Sequence, residues 1–227
     1  MKRYPNENIL VFSDPHLPYE DERMWDFLSD TQRIYKPDRI VCCGDLVDNY
    51  HASRYPKDPN HPDSWVNEQE LVRKKVQKLR KIFPKMDITL GNHDDRYFSK
   101  AVSAGIPKEI IKGFAEVVGA PKGWKMHRTL ILTVDSTREH ITFTHHRGAN
   151  VFLAAQRLGQ TLVVGHQHAR AKIEAHNNGV RIFFGVQCPS LVSGDGAPFA
   201  YTKLHNVNSM KGCTLIEEGV PRLLFIK

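Results

Sequence analysis

A chain of 227 residues, 41% hydrophobic and 25% charged, carries enough apolar material for one compact domain without disulfide staples, and its ordinary composition excludes a disordered, collagen-like or coiled-coil reading. No run approaches the ~18 apolar residues of a membrane span, and the apolar run at residues 9–12 is too short for the roughly 7–15-residue core of a signal peptide. Lysine plus arginine exceed aspartate plus glutamate by 32 − 25 = 7, a basic balance that favours polyanions without identifying one.

Short apolar runs alternate with helical patterns, the signature of an α/β fold. A strand is expected at residues 9–13, ending on Asp14, then a helix at 20–35 that Pro37 stops, and a strand at 39–43 ending at Gly44-Asp45. Residues 49–65, rich in Pro, His and Asp, form a loop too long for an ordinary connection and so of functional interest. A helix with a basic face follows at 66–83. Next come a strand at 87–90 opening onto Gly91-Asn92-His93-Asp94, and helical segments to about 118. Runs at 130–134 and 140–144 read as a hairpin. A helix capped by Asn150 runs to 158, and a buried strand at 161–164 ends on Gly165-His166-Gln167-His168. Runs at 172–176 and 180–185 pair around Asn178-Gly179, and a closing hairpin spans 213–217 and 221–226. No repeat or domain boundary interrupts the chain, so residues 1–227 read as one domain with a long loop insertion. The four cysteines lack regular spacing and suit a reducing cytoplasm.

Five places share one design, an apolar strand with metal-type ligands just beyond it: Asp14-Pro15-His16, Gly44-Asp45, Asn92-His93-Asp94, His145-His146 and His166-Gln167-His168. Strand ends of an α/β sheet lie along a common edge, and Gly44, Gly91 and Gly165 allow tight turns there. Each motif alone is a common turn or cap; together they point to a metal site. Mixed carboxylate, imidazole and amide ligands suit Mn, Fe, Zn or Ni, and seven or eight of them suit two ions.

The set Asp14-x-His16, Gly44-Asp45-x-x-Asp48, Gly91-Asn92-His93-Asp94, His145 and Gly165-His166-x-His168 resembles the calcineurin-like metallophosphoesterase superfamily. The resemblance implies a four-layer α/β/β/α sandwich of two mixed sheets flanked by helices, with two divalent metal ions, manganese foremost, at the strand ends. Asp14, His16 and His168 would hold one ion, Asn92, His145 and His166 the other, and Asp45 would bridge them. It further implies phosphoester hydrolysis by a hydroxide held between the ions. His93 would be a catalytic acid facing the leaving oxygen, and Asp94 would orient it. Ile141, Phe143 and His145 share strand parity, which favours His145 over His146 as the ligand and leaves His146 as a supporting or substrate group. Asp48 reads either as a supporting carboxylate or as a cap.

The absence of Arg-Gly after Asp48 sets the chain apart from the phosphoprotein phosphatases, whereas Gly-Asn-His-Asp resembles phosphodiesterases and nucleases. The chain also resembles small stand-alone members from bacteria and phages. A nucleotide or nucleic-acid phosphoester is therefore the expected partner, with no membrane. A Ser/Thr phosphoprotein phosphatase and a non-catalytic scaffold on the same fold are the alternatives. His51, Arg54, Arg96, His146 and Arg147 are candidate substrate contacts, together with Tyr55 and Lys57 of the long loop. Tyr50, Tyr55 and Trp65 are candidates for stacking on a base. The basic helix face, Arg73, Lys74, Lys75, Lys78, Arg80 and Lys81, reads as solvated, with nucleic acid as the alternative.

Overall fold

Alternate side chains of the first strand enter two different cores, and that parity sets the architecture. In the computed structural model, which describes residues 6–54, 64–148, 150–193 and 208–227, β1 (Asn8–Phe12) buries Leu10 and Phe12 against α1 (Met24–Tyr35) and α2 (Trp65–Ile82). Ile9 and Val11 point the other way, into a core shared with a second sheet.

The first sheet has the order β11-β10-β1-β2-β3-β4, with β2 (Arg39–Cys42), β3 (Met86–Thr89), β4 (Trp124–His127), β10 (Gly212–Glu217) and β11 (Val220–Phe225). β1 to β4 run parallel, and β10 and β11 close the sheet antiparallel. The second sheet has the order β5-β6-β7-β9-β8, with β5 (Leu130–Thr133), β6 (His140–Thr144), β7 (Thr161–Val164), β8 (Lys172–Asn177) and β9 (Ile182–Gln187). Its β6, β7 and β9 are parallel. Ile9, Val11, Val41, Ile141, Phe143, Val163 and Val186 fill the space between the sheets and are fully buried, each worth roughly 1.5–3 kcal/mol. Between β3 and β4 lie α3 (Arg96–Ser103) and α4 (Phe114–Val118), the latter adding Phe114 and Val118 to the core under α2; on the far side, α5 (Val151–Leu158) covers Leu162 and Val164. The layers are thus helices, sheet, sheet and helix, as the resemblance implies.

Local chemistry explains the helix limits. In α2, Val72, Val76 and Leu79 recur on one stripe into the core, and Ser64 Oγ accepts the Asn67 N–H. Asn150 Oδ1 accepts the N–H groups of Phe152 and Leu153 and starts α5 where the sequence places it. α1 begins at Met24, not at residue 20, because the two acids ahead of it are used elsewhere. Glu20 binds Trp25 Nε1 and Lys75, and Asp21 binds Arg23. β9 starts at Ile182 because Asn178 Oδ1 accepts the N–H groups of Val180 and Arg181, which lengthens the turn. β4 was not expected at all: Trp124–His127 lacks alternation but pairs in register with Met86–Thr89. The basic face of α2 is largely engaged at home. Lys75 reaches Glu20 and Glu22, Lys78 lies 4.3 Å over the Trp25 ring, and Arg73 donates to the Val117 carbonyl.

Candidate metal centre

Parallel strands end together, so β1, β2 and β3 deliver Asp14 and His16, Asp45, and Asn92 to one edge, while β6 and β7 bring His145, His166 and His168 to the same edge from the other sheet. The backbone there is strained in a telling way. Asp14, His16, Asp45 and His166 have φ of 53°, 50°, 48° and 75°, a left-handed conformation that non-glycine residues adopt rarely and mostly at functional sites. The glycines serve different ends. Gly44 turns the chain with φ +86°, whereas Gly91 and Gly165 are needed for closeness. A Cβ on Gly91 would lie 2.1 Å from Asp45 Oδ1, and one on Gly165 would lie 1.9 Å from Ser13 Oγ.

Two groupings of side chains have ligand spacing and meet at one carboxylate. In the first, His168 Nε2 lies 3.3 Å from Asp14 Oδ1 and 3.1 Å from His16 Nε2. In the second, His145 Nε2 lies 3.1 Å from Asp45 Oδ2, 3.1 Å from Asn92 Oδ1 and 3.2 Å from His166 Nδ1. Asp45 Oδ2 also sits 3.7 Å from His16 Nε2, between the groupings. Hydrogen bonds fix the ring faces. His16 Nδ1 donates to Asp48 Oδ2 at 2.9 Å and His145 Nδ1 donates to the Cys43 carbonyl at 2.8 Å, so each Nε2 is aimed at the cluster.

The electrostatics call for positive charge. Burial opposes ionisation of Asp14 and Asp45, but the imidazoles around them outweigh it, holding Asp14 well below the usual carboxylate range and Asp45 at about 2. Burial likewise opposes a charge on His16 and His145, yet the facing carboxylates lift them to about 10 and about 9. His166 is lowered to about 4 by burial and by its neighbours His145 and His146. Nitrogen pairs 3.1 and 3.2 Å apart can share at most one proton each, and buried carboxylates beside them retain their charge. A divalent cation in each place satisfies both demands, so the donor set fits the metal that the sequence implies.

A third trio, His16, Asp45 and His93, also has ligand spacing. There, however, Arg96 Nη2 lies 2.7 Å from His93 Nε2, and a guanidinium is a donor only, so that nitrogen faces a fixed cation. The other side of His93 meets Asp48, with Nδ1 3.1 Å from its carbonyl and 3.2 Å from Oδ2. Burial and the charge on His16 lower the pKa of this imidazole.

The orienting partner of His93 is thus Asp48 and not Asp94. The Asp94 carboxyl is turned back on the backbone, accepting from Gly91 N at 2.9 Å and Val47 N at 3.1 Å, and burial beside Asp45 pushes it up to about 7. His146 is exposed, with its ring 4.6 Å from that of His166. Arg147 and Arg54 are exposed, and His51 is held by Glu68 at 2.9 Å. Tyr50 is buried against Tyr19 and His51, which leaves it poorly placed for stacking, while Trp65 is half-buried with its ring 6.4 Å from that of Tyr97. Tyr55 and Lys57 lie outside the described residues.

The sequence reading missed the second row of supports. Glu68, fully buried on α2, accepts the N–H groups of Tyr50 and His51, while Gln69 donates to Asn49 Oδ1 and Asn49 donates to the His93 carbonyl. The signal was present, since Glu68, Val72 and Val76 lie on one helical stripe, and an acid on an apolar stripe requires partners.

Comparison with known proteins agrees with this geometry. A family model described as calcineurin-like phosphoesterase matches residues 7–170. The "Gene 54 protein" of Mycobacterium phage L5 is 25% identical over 197 residues, covering 77% of this chain and 73% of the relative. Its counterpart in phage D29 is 27% identical over 198 residues with the same coverage. Among solved structures, TT1561 of Thermus thermophilus (TM-score 0.49, 10% identity, 97% and 99% of the two chains) and Vacuolar Protein Sorting 29 of Cryptosporidium parvum (0.48, 13%, 97% and 96%) are similar over nearly their whole length. Likenesses this remote carry no functional inference. With the family model spanning residues 7–170, the chain belongs to the calcineurin-like phosphoesterase family.

Proposed function

We propose that this protein is a phosphoesterase that uses two divalent metal ions, manganese foremost, and prefers a nucleotide or nucleic-acid ester. The observation that carries the reading is Asp45, whose one carboxylate oxygen stands between two complete ligand groupings. Asp14, His16 and His168 would hold one ion, and Asn92, His145 and His166 the other. When bound, such ions supply Lewis acidity toward the phosphoryl oxygens and the attacking water. His93, braced on Asp48 through Nδ1, faces the leaving oxygen with Nε2, which takes a proton from solvent once Arg96 moves off it and passes that proton to the leaving oxygen. Arg96 shields that nitrogen until substrate arrives, then moves to a phosphoryl oxygen. The four free, buried cysteines support a cytoplasmic setting, and among the described residues no helix is long and apolar enough to cross a membrane.

The test pairs metal analysis with kinetics on p-nitrophenyl phosphate and its bis-ester. The expected result is two manganese ions per chain and turnover of at least one ester. His93→Ala should keep its metal and lose about 10²–10⁴-fold in rate, less for good leaving groups. An active protein with a single stoichiometric ion would overturn the two-metal scheme, and metal loss in His93→Ala would make His93 a ligand.

A further inference from the structure

Two cavities open along the start of α5, and each is lined by a residue adjacent in the chain to the histidines of the proposed metal centre. One, of about 500 Å³, is lined by Phe152, Gln167, Arg170, Lys172 and Met210 among others, and Gln167 stands between the ligands His166 and His168. The other, of about 620 Å³, is lined by Arg147, Leu153 and Arg157, and Arg147 follows directly on His145-His146. Asn150 belongs to both walls, so the cavities adjoin.

The arginines here differ from six others among the described residues. Arg23, Arg33, Arg39, Arg96, Arg128 and Arg222 are each paired with a carboxylate. Arg147, Arg157 and Arg170 make no ion pair or side-chain hydrogen bond with any described residue, and all three are exposed. Lys172 adds a fourth cation, held 4.7 Å over the Phe152 ring and balanced by Glu174. One small phosphoester at the metal centre has no use for cations spread over two cavities, whereas a chain of phosphates does. The first cavity is also lined by Val151, Phe152 and Met210 together with the amides of Asn150 and Gln167, a mixture of apolar and polar groups that suits a nucleotide.

We propose that these adjoining cavities form a track for single-stranded nucleic acid. Arg147, Arg157 and Arg170 hold phosphates of one strand, and the strand leads to the metal centre. This assignment of the substrate rests on the phosphoesterase reading above. It moves the polyanion surface from the basic face of α2, whose side chains are largely engaged, to α5 and the loop before β8.

The test is fluorescence anisotropy of a labelled ten-nucleotide oligothymidylate in EDTA, so that binding is read without cleavage. Three phosphate contacts predict a slope of about −2 in log affinity against log salt, and each of Arg147→Ala, Arg157→Ala and Arg170→Ala should reduce it by about 0.7. Arg138→Ala and Arg181→Ala remove the same charge at the far end of the second sheet and should leave the slope unchanged. The track is overturned if the triple arginine variant binds like the parent, if thymidine monophosphate binds as tightly as the oligomer, or if a duplex of equal length competes equally well. Aryl phosphodiester turnover with manganese separates the two readings. Turnover with arginine-independent binding removes the track alone, and no turnover with arginine-dependent binding removes the phosphoesterase reading alone.

Discussion

Asp48 makes more contacts at the site than any proposed ligand needs, and its replacement tests the reasoning most directly. Its Oδ2 serves His16 at 2.9 Å and His93 at 3.2 Å, its Oδ1 takes Arg96 Nη1 at 3.2 Å, and the side chain is fully buried. An asparagine has one acceptor oxygen and must choose. With the oxygen toward the histidines, its amide confronts the Arg96 guanidinium, but that group retains the residue-48 carbonyl at 3.0 Å. Asp48→Asn keeps an acceptor for His16 but removes the negative charge behind it, which should lower manganese affinity at the Asp14–His16–His168 grouping roughly tenfold, about 1.4 kcal/mol. Asp48→Ala leaves the His16 N–H buried without an acceptor, which costs ~1–3 kcal/mol, while His93 keeps the residue-48 carbonyl at 3.1 Å, so affinity should fall about 10- to 100-fold. Calorimetric titration with Mn²⁺ and a thermal melt of the metal-free protein measure both quantities. Equal affinity in Asp48→Ala and the parent would refute the argument, as would a larger loss in Asp48→Asn than in Asp48→Ala.

Asp45→Asn should weaken both metal-binding steps in the same titration, because its Oδ2 faces both groupings, whereas Asp14→Asn should weaken mainly one. Gly165→Ala places a Cβ 2.9 Å from the Cys43 carbonyl as well as against Ser13, an overpacking of ~1–3 kcal/mol that should lower Tm by roughly 2–10 °C in differential scanning calorimetry even without metal. Asp21 is held below the usual carboxylate range by Arg23, against some burial, with Lys211 adding to the effect. Its contribution is present above the unfolded pKa of about 3.9 and lost as pH falls through the lower folded value. Asp21→Asn should therefore melt earlier than the parent at pH 7, with the gap closing in strongly acidic buffer.

The strands that end in ligands were legible because the change from apolar to polar residues is abrupt at each: Phe12 to Asp14, Cys43 to Asp45, Leu90 to Asn92, Thr144 to His145 and Val164 to His166. Side-chain parity also chose between the adjacent histidines, since His145 is buried and His146 exposed. What parity and spacing do not encode is how a loop turns its side chains. Asp94 follows His93 in the chain yet faces Gly91 and Val47, while Asp48, remote in sequence, meets His93 because the β2 loop folds under it. β4 stayed hidden because its half-polar residues, Trp124 to His127, gain strand structure only from pairing with β3.

The proposed metal ligands come from two sheets whose shared interior is mainly apolar. Asp14, His16, Asp45 and Asn92 belong to one layer, and His145, His166 and His168 to the other. A cation held across that seam works as a rivet, so its occupancy and the docking of the layers form one linked equilibrium. At a free metal concentration of about 100 Kd the linkage adds roughly 2.7 kcal/mol to the assembled form for each site. Chelation should then loosen the seam before either sheet melts, with hydrogen exchange rising first in the strands that face each other, β1 and β6.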